Sequence, residues 1–465
     1  MRQPRLGLLP LYLALYDAAV PEVRGRMDAF AARIVAELEQ KGLLVVSSPT
    51  CRLQGEFAAA VRRFERARVD VLVTLHLAYS PSLESTPALA ATRLPLVVLD
   101  TTPSFHYGPD QDPAELMFNH GIHGVQDLCH LLLREGKPFQ VEAGHWQRSD
   151  VLDRVAAWAR AAVLASSLRR ARVGRIGEPF AGMGDFAVPS PLLRESLGVE
   201  TVPCDPEQLR ALLPEEDDPA VQAEMAADLE HFEARGLDPG AHRRTVRACL
   251  AVRRWMAQER LSAFTFNFLT LDRASGLPTV PFLEASKAMA RGQGYAGEGD
   301  VLTAALVGAL AAAYPTTFTE MFCPDWADNR IFLSHMGEMN LALAAGKPRL
   351  LEKPFPWTDA GNPVVAVGRF RPGQAVLVNL APLPQGAYTL LVAPVRVAEV
   401  EGSDRMTELV RGWIRSALPV ADFLAAYSRA GGTHHSALVY GAPPEELVRF
   451  GTLMGWPVVR LPEGG

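Results

Sequence analysis

The stretch LLVVSSPTCRLQGEFAAAVRRFERARVDVLVTLHLAY (Leu43–Tyr79) contains two continuous apolar runs separated by a segment with helical periodicity. The runs are Leu43–Ser48 and Val69–Tyr79, and the segment between them that favours a helix is Glu56–Arg68. Strands that are apolar on both faces and are joined through helices are typical of a parallel sheet covered by helices on both sides. The stretch therefore predicts a strand–helix–strand unit.

The same alternation continues on both sides of this unit. Leu6–Leu15 and Leu94–Thr102 are further apolar runs, and Pro21–Gly42 has the pattern of an amphipathic helix that ends at a glycine. No G-x-G-x-x-G follows the first run, so the sequence does not support a dinucleotide site. A second alternating region begins near Ala171 and includes two charged helices, predicted at about 219–235 and 241–260.

The last third of the chain has a different character. Asn362–Phe370, Gln374–Leu383 and Tyr388–Val400 are successive strand-like runs separated by turn residues. Such a series is typical of an antiparallel sheet or barrel.

We therefore predict an α/β protein of three domains. Residues 1–167 and 168–312 form two doubly wound parallel-sheet domains of the flavodoxin or Rossmann-like type. Residues 313–465 form a mostly antiparallel, β-rich C-terminal domain.

Composition excludes several classes of protein. The net charge of −6 disfavours a nucleic-acid partner, because there is no basic excess to neutralise phosphates. The apolar run at the start contains Pro10 and is too short to span a bilayer, so we expect no membrane association. Five scattered cysteines without a C-x-x-C pair predict a reduced protein of the cytoplasm.

Carboxylates and imidazoles that could hold a metal or transfer protons occur in three segments of the second half of the chain. They are Glu298 in AGEGD, Glu320 and His335 in TTFTEMFCPDWADNRIFLSHMGE, and His434 and His435 in AGGTHHSALVYG. Such a set suits manganese, cobalt, iron or zinc, and two glutamates beside one metal could also shuttle protons. The spacing is too long for a local metal motif, so these residues by themselves do not establish a metal site.

Each candidate also fits a purely structural role. Glu298 could be a solvated residue in a helix lead-in, with Asp300 as the N-cap. Glu320 could be a loop acid paired with Arg330, and His335 could be a core histidine with satisfied hydrogen bonds. If the His434–His435 pair begins a strand, its rings point to opposite sides, and at most one of them binds a metal.

The sequence around these candidates resembles the L-arabinose isomerases. GQGYAGEGDVLTAALVGAL (Gly292–Leu310) is similar to the family's G-Y-G-F-(A/G)-(A/G)-E-G-D-W-K-T-A-A-L segment. FTEMFCPDWADNRIFLSHMGE (Phe318–Glu338) is similar to F-M-E-D-Y…L-G-S-H-M-L-E, and RAGGTHHSALVYG (Arg429–Gly441) to A-G-G-A-H-H-T-x-F-S. The resemblance implies that Glu298 and Glu320 are catalytic and also bind the metal, and that His335 and His435 are further metal ligands. His434 is then a residue that supports the ligands.

Three weaker similarities imply residues that contact the sugar. FTFNF resembles F-T-T-x-F and maps a pocket phenylalanine onto Phe268, and NHGIHGVQD resembles N-Q-S-A-H-G-D-R-E and maps a sugar-binding histidine onto His123. GMGDF is distantly similar to F-G-D-N-M and suggests Met183. The family's M-H-T-F-S-P-A-K-M-W segment, however, appears here as LHLAYSPSLES (Leu75–Ser85), so the wall of the pocket is altered.

The resemblance implies a metal-dependent aldose–ketose isomerase of the arabinose/fucose isomerase superfamily that acts through a cis-enediol intermediate. It implies Mn²⁺ or another divalent transition metal such as Co²⁺ as the cofactor and a monosaccharide as the substrate. It also implies a trimer or hexamer with active sites between subunits. The alternatives are an isomerase of L-fucose or another pentose or hexose, and a non-catalytic sugar-binding protein on the same fold.

Overall fold

A computed structural model describes residues 2–271, 275–400 and 402–462, which form two compact units, Arg2–Val163 and Leu164–Gly465. The strands of the first unit are β1 (Arg5–Leu11), β2 (Leu44–Ser47), β3 (Val71–His76), β4 (Leu96–Asp100) and β5 (Gln140–Ala143). Its helices are α1 (Ala14–Ala19), α2 (Val23–Gln40), α3 (Gln54–Arg66), α4 (Ser82–Ala91), α5 (Leu116–Asn119) and α6 (Ile122–Arg134), and α7 (Val151–Arg169) contains the boundary between the units.

The first unit is built on a parallel sheet with the strand order β2-β1-β3-β4-β5. This order is that of a doubly wound, flavodoxin-like fold, in which ligands bind beyond the carboxyl ends of the strands. All six residues of β3 are buried, as the continuous apolar run predicts for a central strand.

The second unit begins with a smaller parallel sheet in the order β7-β6-β8-β9, whose strands are β6 (Arg172–Ile176), β7 (Glu200–Pro203), β8 (Ala263–Phe266) and β9 (Gly294–Gly297). Its helices are α8 (Ser190–Leu197), α9 (Pro206–Leu212), α10 (Pro219–His231), α11 (Pro239–Gln258), α12 (Phe282–Ala290) and α13 (Val301–Ala311). The helix predicted to reach residue 235 ends earlier, because Phe232 adopts an extended conformation.

The remainder of the second unit is a β-rich region. Its elements are β10 (Thr316–Asp325), β11 (Arg330–Ser334), β12 (Arg349–Glu352), β13 (Val364–Val367), β14 (Gly373–Pro382), β15 (Tyr388–Val397), β16 (Gly412–Arg415), α14 (Val420–Arg429), β17 (His435–Tyr440), α15 (Pro444–Met454) and β18 (Val458–Arg460). The order β14-β17-β10-β11-β16-β15 closes into a barrel, because β14 also pairs with β15. Leu333, Leu377, Leu391 and Leu438 belong to one hydrophobic core formed by these strands.

This architecture confirms the predicted fold class, with two parallel α/β sheets followed by an antiparallel β-rich region. One detail differs, because the run Asn362–Phe370 does not join the barrel. Its strand, β13, pairs with β12 in a separate two-stranded sheet. The boundaries of the three predicted domains stay a prediction.

Among the described residues, no helix combines the length and the apolar character needed to cross a bilayer. All five cysteines are free thiols, and Cys51 and Cys249 are buried.

A buried ionic network joins α10, α11 and α12. Lys287, on α12, lies 2.6 Å from Glu224 on α10 and also contacts Asp228. Arg253, on α11, donates two hydrogen bonds to Glu224, at 2.7 and 2.9 Å, and two to the fully buried Glu284, at 2.8 and 3.0 Å. Burial raises the pKa of Glu224, but Arg253 and Lys287 outweigh it and lower this pKa to about 2.

We expect Glu224→Gln to destabilise the fold in a pH-dependent way. The pKa of Glu224 is lower in the folded protein than its ordinary value of 4.5, so its stabilisation is present above pH 4.5 and is lost as the pH falls towards 2. Calorimetry should show a lower Tm for the variant at pH 7, corresponding to about 3 kcal/mol, and a smaller difference near pH 3. Glu230→Gln, at an exposed position of the same helix, is the control. A difference that is constant with pH would contradict this role.

Candidate active site

Glu298 lies in the turn that connects β9 to α13. Asp300 caps the helix, and its Oδ1 accepts a hydrogen bond from the Thr303 N–H at 2.9 Å. Glu298 and Gly299 both have left-handed backbone conformations, with φ of +63° and +82°. The Glu298 side chain is only 12% exposed, so Asp300 is the predicted cap but Glu298 is not a solvated residue.

The two glycines beside Glu298 allow close packing against other parts of the protein. A β-carbon at position 297 would lie 3.0 Å from Cε1 and 3.1 Å from Nε2 of His335. A β-carbon at Gly299 would lie 2.7 Å from the Cα of Pro179, and its φ also favours glycine. The glycines therefore let an imidazole and a neighbouring loop approach the turn.

Three adjacent strands of the barrel supply the other candidates. Glu320 on β10 is in register with His435, the first residue of β17, on one side and with Ser334 of β11 on the other. His335 directly follows Ser334. Residues far apart in sequence thus become neighbours, because antiparallel pairing places them at the same level of the sheet.

The four predicted ligands lie around Glu320 and His435. Glu320 Oε1 lies 3.1 Å from Nε2 of His335 and also 3.1 Å from Nε2 of His435. Glu298 Oε2 lies 3.3 Å from the same nitrogen of His435 and 3.6 Å from Nε2 of His434. A potential ligand atom from each of Glu298, Glu320, His434 and His435 lies within 4.8 Å of the others. This compact group contains His434 and not His335, which adjoins it through its contact with Glu320.

Buried carboxylates hold the far side of two of these imidazoles. His435 Nδ1 is 2.9 Å from Asp300 Oδ2, and His335 Nδ1 is 2.7 Å from Glu338 Oε2. The Tyr295 hydroxyl donates to the other oxygen of Glu338 at 2.7 Å. Such partners fix the tautomer and orientation of metal-binding histidines, and they leave Nε2 of both rings directed at Glu320.

Aromatic rings enclose the same two histidines. The Phe318 ring lies 4.8 Å from the His335 ring and 5.0 Å from the His435 ring, edge to face in both cases. Phe186 stacks on His435 with centroids 4.8 Å apart and planes 12° from parallel. The imidazoles therefore have little freedom to reorient.

The pKa shifts follow from this packing of opposite charges. Burial lowers the pKa of His335, but Glu338 and Glu320 outweigh it and raise the pKa to about 10. Burial raises the pKa of Glu298, but the His434–His435 pair outweighs it and lowers the pKa to about 2. The pKa of Glu320 is likewise well below its ordinary value, because the imidazoles outweigh the effect of burial. Both carboxylates are therefore ionised near neutral pH.

Two atoms at the centre of the cluster lack hydrogen bonds. Within the described residues, Glu298 Oε2 and His435 Nε2 make no hydrogen bond of regular geometry, although His435 Nε2 lies 3.3 Å from Glu298 Oε2 and 3.1 Å from Glu320 Oε1. Buried polar atoms without a partner are uncommon in proteins. Carboxylate oxygens and imidazole nitrogens that converge in this way match the donor set of a divalent transition metal.

Two of the structural alternatives are wrong. Arg330 pairs with Asp325 at 2.7 Å, and Glu320 points into the cluster instead of forming a loop ion pair. The rings of His434 and His435 do not point to opposite sides, since their centroids are 4.2 Å apart and both lie near Glu298. The alternation rule does not apply because β17 begins at His435, so His434 precedes the strand.

The residues expected to contact a sugar lie in three places. Phe268 is half-buried, with its ring 5.7 Å from Phe180 and 5.6 Å from Phe355. Met183 is half-buried in the loop after β6, and His123 is exposed in the first turn of α6 in the Arg2–Val163 unit. Their contacts with a sugar stay predictions.

Sequence reasoning assigned no site role to three carboxylates of the cluster. The sequence pattern predicts Asp300 only as a helix cap, and Glu338 follows His335 by three residues, a spacing compatible with a partner on the same side. Asp185 contacts His434 across 249 positions, and the similarity of GMGDF to F-G-D-N-M suggests only Met183.

Comparison with known proteins identifies two segments of the chain that match a known family. Residues 223–314 match the model of the L-arabinose isomerase central domain, and residues 315–457 match that of the L-arabinose isomerase C-terminal domain. The two matches are consecutive and together span just over half of the chain.

Whole-chain relatives agree with these matches. The L-arabinose isomerase of Herpetosiphon aurantiacus is 27% identical over 95% of this chain and 91% of its own length. That of Nocardioides sp. is 28% identical over 94% of this chain and 90% of its own length, and that of Shouchella clausii 26% over 97% and 92%. With the domain matches, these similarities show that the chain belongs to the L-arabinose isomerase family, a family of sugar isomerases.

Proposed function

We propose that the protein is a metal-dependent aldose–ketose isomerase that acts through a cis-enediol intermediate. The observation that carries the proposal is the placement of two carboxylates, Glu298 and Glu320, against one imidazole nitrogen of His435, at 3.3 and 3.1 Å. Simple sugar binding does not need two buried carboxylates converging on one point, whereas moving protons between neighbouring carbons does. Incubating the manganese-loaded protein with a panel of aldoses and detecting ketoses tests the proposal.

Glu298, Glu320, His335 and His435 are the proposed ligands of a Mn²⁺ or Co²⁺ ion. The convergence of Glu298 and Glu320 on His435 Nε2 without regular hydrogen-bond geometry, and the mixture of oxygen and nitrogen donors, support this assignment. When bound, such an ion supplies Lewis-acid stabilisation of negative charge on the oxygens of the sugar.

The two glutamates are the proposed acid–base pair. Conversion of an aldose to a ketose removes a proton from C2 and delivers one to C1, while a hydroxyl proton moves from O2 to O1. An ionised carboxylate accepts the first proton, and the same group or its partner, once protonated, delivers a proton to C1. The low pKa values of Glu298 and Glu320 keep both groups in the accepting form at the start of the reaction.

The imidazoles and the aromatic residues orient the reacting groups. Asp300 and Glu338 hold His435 and His335 by their Nδ1 atoms, so the Nε2 atoms stay directed at Glu320. Phe268 and Met183 are the proposed lining of the sugar pocket, and His123 is a proposed donor to a sugar hydroxyl.

L-arabinose is the substrate named for the relatives, and we propose a sugar of this kind for the present chain. The alternatives are L-fucose or another pentose or hexose, because Leu75–Ser85 departs from the family pattern. A non-catalytic sugar-binding protein would show thermal stabilisation by sugar without ketose formation. The free cysteines are compatible with the cytoplasmic location that we propose.

We expect the purified protein to bind about one divalent ion per chain, with Mn²⁺ or Co²⁺ giving the highest activity. His335→Ala should lose most of its metal affinity in titration calorimetry, because an Nε2 donor is removed from the cluster. His231→Ala, an exposed histidine on α10, is the matched control. Unchanged metal content in His335→Ala would remove this residue from the ligand set.

Glu298→Gln and Glu320→Gln should each lower kcat by roughly a hundredfold or more, because the amide keeps the shape of the side chain but cannot take up the proton. Circular dichroism and Tm should show an intact fold. Glu178→Gln, at a position 79% exposed, is the control and should retain full activity. Normal turnover by either cluster variant would overturn the role assigned to that residue.

We further propose a trimer or hexamer in which His123 of one chain contributes to the active site of the next. His123 is exposed and belongs to the Arg2–Val163 unit, whereas the cluster belongs to Leu164–Gly465, so the two could meet between chains. The retained NHGIHG motif supports a role for this histidine beyond the start of a helix.

Mixing inactive His123→Ala chains with inactive Glu298→Gln chains should then restore part of the activity after dissociation and reassembly. Some mixed interfaces would combine an intact cluster with an intact His123. Light scattering should report a trimer or hexamer at micromolar concentration. An active monomer, or no complementation despite proven exchange of subunits, would contradict the shared site.

A further inference from the structure

The loop that follows β6 contacts the cluster directly. It contains EPFAGMGDF (Glu178–Phe186) and precedes α8. The Phe180 N–H donates to the Glu298 carbonyl at 2.9 Å, and Phe186 stacks on His435. The loop is thus attached to the backbone of one proposed ligand and to the side chain of another.

Asp185, in this loop, makes two contacts with a single residue of the cluster. Its Oδ2 accepts a hydrogen bond from the backbone N–H of His434 at 2.9 Å and lies 2.7 Å from Nδ1 of the same histidine. The opposite ring nitrogen, Nε2, lies 3.6 Å from Glu298 Oε2. The carboxylate therefore fixes both the backbone and the ring of His434, with the free ring nitrogen turned towards Glu298.

His434 needs such a partner more than the other histidines of the cluster do. The side chains of His335 and His435 are 4% and 0% exposed, and packing restricts their rings. The His434 and Asp185 side chains are both 38% exposed, so this pair lies on the solvent-facing side of the cluster. A half-exposed imidazole without a bound carboxylate would rotate among several rotamers and would present either nitrogen to Glu298.

We infer that Asp185 is a positioning residue that acts through His434, holding its Nδ1 so that Nε2 faces Glu298 on the solvent-facing side of the cluster. The consequence for catalysis rests on the proposed isomerase function. The orientation of the His434 ring is independent of the proposed function, because this orientation depends only on the two contacts that Asp185 makes with His434.

A set of variants tests this inference in the metal-loaded, full-length protein. Asp185→Ala should lower kcat by about tenfold with little change in KM, metal content or Tm, because His434 is not a proposed metal ligand and only the orientation of its ring beside Glu298 is lost. Asp185→Asn should retain at least about a third of kcat, because its Oδ1 can accept both hydrogen bonds. Glu178→Ala, on the same loop, is the control and should match the wild type.

A double-mutant cycle shows whether Asp185 acts through His434. In a His434→Ala background, the further change Asp185→Ala should alter kcat less than twofold, because the ring that it positions is already absent. Full additivity of the two effects would overturn the inference. So would wild-type kcat in Asp185→Ala, or an Asp185→Asn variant as impaired as Asp185→Ala.

A crystal structure of Asp185→Ala separates this inference from the proposed function. If the wild type converts no aldose, the isomerase proposal fails. The orientation of the His434 ring in the Asp185→Ala structure then tests the positioning role of Asp185 independently of activity. A ring turned away from Glu298, or spread over several conformers, supports that role. A ring in its original orientation overturns it, whatever the activity.

Discussion

A single carboxylate oxygen, Glu320 Oε1, lies 3.1 Å from the Nε2 atoms of His335 and His435. Each imidazole is held on its far side by an acid, Glu338 for His335 and Asp300 for His435, so acids and imidazoles alternate along the chain of contacts. Burying ions costs several kcal/mol each unless every one has partners, and the alternation supplies those partners. Loss of any member leaves its neighbours buried and incompletely paired, so the cluster is sensitive to each of its residues.

Two different sheets contribute the acids and imidazoles of this alternating arrangement. The antiparallel barrel fixes Glu320 beside His435 through the register of β10 and β17, which is a property of backbone pairing. The parallel sheet supplies Glu298 from the turn after β9 and Asp185 from the loop after β6, both at the carboxyl ends of strands, where α/β folds bind ligands. The left-handed backbone at Glu298 is the local conformation that lets its side chain reach the barrel.

The residues proposed for proton transfer and the segment that departs most from the family pattern lie in different units of the chain. The cluster of Glu298, Glu320, His434 and His435 combines carboxylates with imidazoles, and it lies within the residues that match the two L-arabinose isomerase domains. The segment Leu75–Ser85, where the chain departs from the family pattern, lies in the other unit. On the proposed function, the departure in Leu75–Ser85 bears on the choice of sugar and not on the proposed proton transfer, since function depends on sites placed on a scaffold.

The sequence alone determined the fold class, because apolar runs joined by helices, and later by turns, specify parallel and antiparallel sheets through local periodicity. It also identified the residues that converge, through motifs centred on Glu298, Glu320 and His335. Only the tertiary structure decided how they meet, brought His434 to the same side as His435, and placed Asp185 on His434 across 249 positions. Periodicity is a property of neighbours along the chain, whereas contacts between the ends of different strands depend on register and loop path, which no local pattern encodes.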